Sequence, residues 1–296
     1  MATTSSTAKP LGTRALVATA IGAALLILIA NSAYWFNNYI FNTTNFANTT
    51  TQALLSESSR TAIAGQVVSK ALQNRPALQK AVEEPATKLI SGLLDSNVAK
   101  NLVQRSVTRL QIAITSKNPQ PIEINLEPVK ENLTRLLDIA QQITNRPADE
   151  AKFNPEDIPN TITLVDVTKL PNIYLMGTIL IWLGPICLLI AIGLIAWPLY
   201  TYRAITSRLH IVLGIQAVAI GLGWVTALLI GPLFRPPILA QVPDENLRVV
   251  AENIYNAFIA TFNNQTNSML LIAVFLLIAA VVSWYYHTIY KSRRST

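Results

Sequence analysis

The sequence predicts a mainly α fold, with four transmembrane helices carrying an extracytoplasmic helical bundle and a small two-stranded β element. Three observations lead there. Four long apolar runs contain no Asp, Glu, Lys or Arg. Seven basic residues, Lys9, Arg14, Arg203, Arg208, Lys291, Arg293 and Arg294, flank those runs in three segments free of acid, and they equal the whole net charge of +7. Between residues 37 and 172 the composition turns water-soluble, with helical spacing of apolar residues. Lys and Arg near span ends stay on the cytoplasmic side. The expected order is therefore a cytoplasmic tail 1–14, first span 15–36, extracytoplasmic domain 37–172 and second span 173–200. A cytoplasmic turn 201–208, third span 209–230, extracytoplasmic loop 231–268, fourth span 269–286 and cytoplasmic tail 287–296 follow. This describes a multi-pass protein of the cell membrane with both termini in the cytoplasm.

The first run, Ala15 to Phe36, is long enough at about 1.5 Å per residue to cross a hydrocarbon core of about 30 Å. Tyr34, Trp35, Phe36 and Tyr39 form an aromatic belt at its far end, and Asn31 falls just inside that belt, so its amide need not reach the midplane. A cleavable signal peptide is the competing reading of this run, although Asn31-Ser32-Ala33 makes a poor cleavage site. The second run exceeds a perpendicular crossing, and Pro185 in its centre predicts a kink. The third is expected to stop at Gly231-Pro232.

In the extracytoplasmic domain Ala64, Val67, Val68, Ala71 and Leu72 form one apolar stripe, and Leu78, Val82, Ala86, Leu89 and Leu93 another. Pro85 is expected to divide the second into two helices. Asp95 and Ser96 are good caps for a helix whose face runs Val98, Leu102, Val103, Val107, Leu110 and Ile114. Ile122 to Leu126 alternates like a strand, and Thr161 to Val167 is a second extended piece that can pair with it. Pro128 opens a helix through Ile143, and a polar linker covers 145–160. In the next loop Leu247, Val250, Ile254, Phe258 and Phe262 mark an amphipathic helix leading into the fourth span, expected to stand as a stalk against the bundle.

Residue content narrows the chemistry. The extracytoplasmic domain has neither His nor Cys, which excludes zinc, haem or copper sites built on those ligands and a Ser or Cys nucleophile with a His base. Asp149, Glu150, Glu156 and Asp157 lack the alternation and glycine of a calcium loop and read as a solvated linker. Phe153 is the only aromatic between Ala47 and Asn172, so no stacking platform for nucleic acid exists there. No enzyme, cofactor or metal is expected, and no ionisable residue marks a charged transport path inside the spans. Gln216 is the one strongly polar side chain near a midplane and reads as an interhelical hydrogen bond. Ala18 with Gly22, Ala217 with Gly221 and Ala219 with Gly223 have the four-residue spacing that lets helices approach, read as internal packing, with homo-oligomerisation the alternative. Asn42, Asn48, Asn132 and Asn264 each head an N-x-Ser/Thr triplet, which composition alone accounts for in a chain rich in Asn and Thr.

The stretch Phe41-Asn42-Thr43-Thr44-Asn45-Phe46 after the first span, followed by Leu54-Leu55, Ile122 to Pro128 and Thr163-Leu164-Val165-Asp166 before three closing spans, resembles a known group. This group is the uncharacterised bacterial, actinobacterial-type four-span integral membrane proteins with a helical extracytoplasmic domain. Their outer domain often begins with a Thr-Asp-Arg-Phe-like stretch and has a strand ending in Gly-Pro; this chain has Thr44-Asn45-Phe46 and Glu127-Pro128 instead. The resemblance implies a bacterial inner-membrane setting and no particular activity. Taken together, the expectation is a non-enzymatic membrane protein, embedded in the lipid bilayer, whose outer domain binds or scaffolds a protein partner in the envelope. The alternatives are a sensor acting through a separate cytoplasmic partner and a transporter of neutral or lipidic solutes.

Overall fold

The computed structural model describes residues 12–71, 76–117, 122–125, 161–165, 173–202 and 209–294. Helix dominates these residues: α1 (Thr13–Trp35), α2 (Thr43–Leu54), α3 (Glu57–Ala71), α4 (Pro76–Leu94), α5 (Asn97–Thr115), α6 (Tyr174–Tyr202), α7 (Leu209–Leu239) and α8 (Glu245–Arg294). A π-helical turn, Phe36–Ile40, prolongs α1, and two short extended segments occupy Ile122–Asn125 and Thr161–Val165. Four helices, α1 with its π turn, α6, α7 and α8, are long and apolar enough to cross a membrane, as in a multi-pass membrane protein.

These four pack around α1, which touches the other three. α7 lies along both α1 and α8, and α6 lies chiefly along α1. Their shared core is assembled from Ala24, Ile27, Ala191, Leu213, Ala217, Ile220, Met269, Ala273 and Leu276. Gly223 lies where three helices meet: a Cβ there would come within 3.2 Å of Met269 and 3.7 Å of Ala24. Trp182, Leu189, Leu271 and Phe275 point outward and are exposed. Such an apolar exterior is a liability in water but suits hydrocarbon, where small residues carry the helix contacts instead.

Several expected boundaries move. α7 does not stop at Gly231-Pro232 but continues through Pro232, Pro236 and Pro237 to Leu239. The reason is α8 alongside: Gly231 lets the helices close, with a Cβ there falling 2.8 Å from Ile259, and the Tyr255 hydroxyl donates to the Gly231 carbonyl at 2.6 Å. Arg235 pairs with Glu252 one turn further on. The fourth long helix does not begin at Met269; α8 runs unbroken for 50 residues from Glu245, so the amphipathic segment and the apolar run are one rod. Pro85 does not divide α4, which spans 19 residues around it. Pro85 is exposed, so its ring meets no neighbouring helix. Pro185 likewise lies inside α6, together with Pro198.

The loop helices pack in pairs, α2 on α5 and α3 on α4, and both α2 and α3 also rest on α8. Asn42 caps α2 by accepting from the Asn45 N–H at 3.0 Å, and Ser96 caps α5 by accepting from the Ala99 N–H at 3.2 Å. Ala47, Ala53, Ser59, Ala62, Ala64, Val68, Val107 and Gln111 are buried. The expected stripes are corrected in part: Val67, Leu89, Leu93 and Val98 are exposed, because these helices meet through small residues and leave their larger apolar side chains outside. The helix expected from Pro128, the linker 145–160 and its acids, and Asn132 lie outside the described residues.

Candidate interaction module and its junction with the long helices

Gln111 is the keystone of the junction. It falls within the apolar stripe of α5, one turn after Val107, and is only 1% exposed. Its Nε2 donates to the carbonyls of Ile40 (3.1 Å) and Phe41 (3.2 Å), and its Oε1 accepts from the Thr43 hydroxyl at 2.9 Å. One amide thus satisfies the chain where the π turn hands over to α2. The end of α5 is tied to the start of α6 by the Ile173 N–H, which donates to the Ile114 carbonyl at 3.0 Å. Gly177 in the first turn of α6 accepts the face of Phe41 so closely that a Cβ would fall 2.6 Å from the ring.

On the other side α8 is the support. Asn253 Nδ2 lies 2.8 Å from the hydroxyls of both Ser58 and Ser59 at the start of α3, and Phe46 packs on Phe258 with ring centroids 5.5 Å apart. Below this contact Trp35 is ringed by Phe36, Tyr39, Phe258 and Phe262 at centroid distances of 5.0, 6.4, 6.3 and 5.4 Å. Its indole N–H donates to the Thr261 hydroxyl at 2.9 Å, as a buried indole requires. Asn31 is buried between α1 and α8, where Nδ2 donates to the Thr266 hydroxyl at 3.1 Å. Gln265 Nε2 in turn donates to the Asn31 carbonyl at 2.8 Å.

At the far end of the loop helices Asp95 joins α3 to α5, paired with Arg60 and, at 3.3 Å, with Lys100. The Lys100 hydrogen bond, with the charges of Arg60 and Lys100, holds its carboxyl below the ordinary carboxylate value. Leu89 and Leu93 near the end of α4 and Val98 at the start of α5, on either side of Asp95 in the chain, are exposed. Along α5 an open polar depression of about 310 Å³ is lined by Asn101, Gln104, Arg105, Thr108 and Arg109. The module thus offers an apolar ridge beside a polar, basic helix face.

The residues singled out from sequence divide into three groups. Arg14 is exposed in the first turn of α1, while Lys291, Arg293 and Arg294 fall in the last turns of α8; Lys9, Arg203 and Arg208 lie outside the described residues. Leu16, Val212 and Leu199 pack together, which brings the start of α1, the end of α6 and the start of α7 to one end of the bundle. Gly22, Ala217, Ala219, Gly221 and Gly223 face neighbouring helices to varying depth, whereas Ala18 is exposed. The buried line of α1 runs through Leu16, Ala20, Ala23 and Ile27, and two residues of helical rotation from Leu16 turn Ala18 to the opposite side. Gln216 is 1% exposed and donates to the Ile195 carbonyl at 3.2 Å. Sequence reasoning missed Gln111 and the Phe41–Gly177 contact; a polar residue inside an apolar stripe was the one available signal. Of the Asn triplets, Asn42 is spent on its cap, Asn48 Oδ1 accepts from Gln104 at 3.1 Å, and the Thr266 of the Asn264 triplet is fully buried.

Comparison with known protein families, with characterised proteins and with solved structures finds no match to this chain.

Proposed function

We propose that the chain is a non-enzymatic cell-membrane protein whose extracytoplasmic helices bind or scaffold a protein partner in a bacterial envelope, in the manner of the actinobacterial-type four-span proteins it resembles. Both termini are cytoplasmic in this reading, and residues 37–172 and the 231–268 region lie outside. The gathering of the start of α1 with Arg14, the end of α6, the start of α7 and the end of α8 at one end of the bundle supports that orientation. A small two-stranded element completes the outer domain, supported by the antiparallel register from Ile122↔Val165 to Asn125↔Thr161.

The observation that carries the reading is the bracing of the module. Gln111, Phe41 against Gly177 and Asn253 fix it to the long helices from two sides, so the ridge of Leu89, Leu93 and Val98 is presented in a set orientation. A fixed exposed apolar ridge is what a protein partner needs. Photo-crosslinkers placed at Leu93 and Val98 in intact cells should yield adducts with another protein; recovery of this chain alone would count against the proposal. A cysteine at Ser96 should react with an impermeant maleimide on those cells and one at Ser207 should not. The reverse labelling would discard the orientation.

One observation favours a sensor as the second reading: α8 runs 50 residues without interruption, from the contact with α3 to the last basic residues. Movement at Asn253 would reach the cytoplasmic end along a single rod and require a separate partner there. Deleting 291–296 should abolish a response in this version and leave a scaffold unaffected.

A further inference from the structure

The chain has two histidines, and the antiparallel pairing of α7 with α8 brings them together. His210 lies in the first turn of α7, His287 near the end of α8, and their ring centroids are 6.5 Å apart with planes at 62°. Nδ1 of His210 is enclosed and has no hydrogen-bond partner. A ring nitrogen shut away from water without a partner is costly, and two adjacent imidazoles offer what removes that cost.

We propose that His210 and His287 form a two-imidazole clamp for a divalent transition-metal ion of the zinc or copper class, joining α7 to α8 at the end of the bundle where α1 begins. Imidazole nitrogens bind such ions at about 2.0–2.1 Å in tetrahedral geometry, which puts two ring centres on one ion about 5 Å apart. The present 6.5 Å separation must close by about 1.5 Å as the two side chains turn toward one ion. Imidazole selects zinc, copper or nickel over calcium and magnesium. Among the described residues no third His, Cys, Asp or Glu joins the pair, so the rotation that brings the two rings to one ion must also admit the water that completes its coordination. With only two protein ligands the clamp is an exchangeable site rather than a permanent structural one.

The full chain, purified through a histidine-free tag and placed in lipid nanodiscs, is titrated with zinc chloride by calorimetry and with copper chloride by electron paramagnetic resonance. One saturable equivalent of zinc is expected, with two imidazole nitrogens coupled to the copper. His210→Ala and His287→Ala should each weaken zinc at least about tenfold and leave one coupled nitrogen. His210→Gln and His287→Gln serve the same purpose if an alanine variant does not fold. Zinc binding no tighter to the native chain than to the doubly substituted one, or a copper signal from a single imidazole, overturns the proposal.

Discussion

In α6 the large side chains Trp182, Leu189 and Trp197 turn away from the protein, and the approach to α1 is made by small residues, with a Cβ at Gly184 falling 3.5 Å from Ala33. In α3 the contacts are also small, through Ser59, Ala62 and Ala64, yet the environment is the reverse. Lipid accepts Trp182 and Leu189 at no cost, so nothing drives them inward and close van der Waals packing decides the helix contacts. Water penalises an exposed Leu93 or Val98. Their exposure on α4 and α5 therefore has to be explained, whereas that of Trp182 does not.

The sharpest way to break this comparison is at the seam between the two regions. Gly177→Val drives a branched side chain into the Phe41 ring and should cost about 1–3 kcal/mol or more, read as a lowered unfolding midpoint in nanodiscs. Adding Phe41→Ala should recover part of the loss. Gly193→Val, at a glycine with nothing within 4 Å of a Cβ, should leave the midpoint where it was. Equal losses at both glycines would mean that helix packing does not decide the effect.

Next come the two buried amides. Gln111→Leu leaves the Ile40 and Phe41 carbonyls without this partner and should cost about 1–3 kcal/mol. Asn31→Leu removes an interhelical bond between long apolar helices, where such bonds average about 0.6 kcal/mol with a ceiling of about 1.7. Unfolding midpoints of the two variants, compared in one lipid, should rank in that order. The opposite ranking would mean that Asn31 and Thr266 hold the structure more firmly than the junction does.

The smallest effect belongs to Asp95. Its carboxyl is lowered in the folded chain, so the ion group contributes fully above the ordinary value of 3.8 and is lost as pH falls through the lowered folded value. Asp95 is exposed, and salt should weaken the ion group further. Asp95→Asn should lower the neutral plateau of a pH–midpoint curve slightly and flatten its acid limb, the two curves converging at low pH. An unchanged acid limb would show that Arg60 and Lys100 do not act through Asp95.

Much of the fold was legible from particular residues. An absence of charge over Ala15–Phe36 or Met269–Tyr286 signals a long apolar helix whatever its neighbours do, and Ser96 signals a helix start because its hydroxyl bonds within its own turn. Gly231-Pro232 and Pro85 misled because local propensity assigns proline a fixed penalty, while packing along a neighbouring helix, as at Gly231 and Tyr255, can carry a helix through it. The stripe through Leu89 and Leu93 has the right period but names no partner, and period alone cannot say which face is covered.

The order of residues alone determined the number and approximate place of the four long helices and the partition of charge around them, since both follow from the free energy of transferring single side chains between water and hydrocarbon. Only the tertiary structure decided that α7 continues past Pro237 beside α8, that Gln111 closes the junction at Phe41, and that His210 meets His287. Those facts depend on which helices lie together and at what rotation, and such energies belong to pairs of surfaces rather than to any one segment.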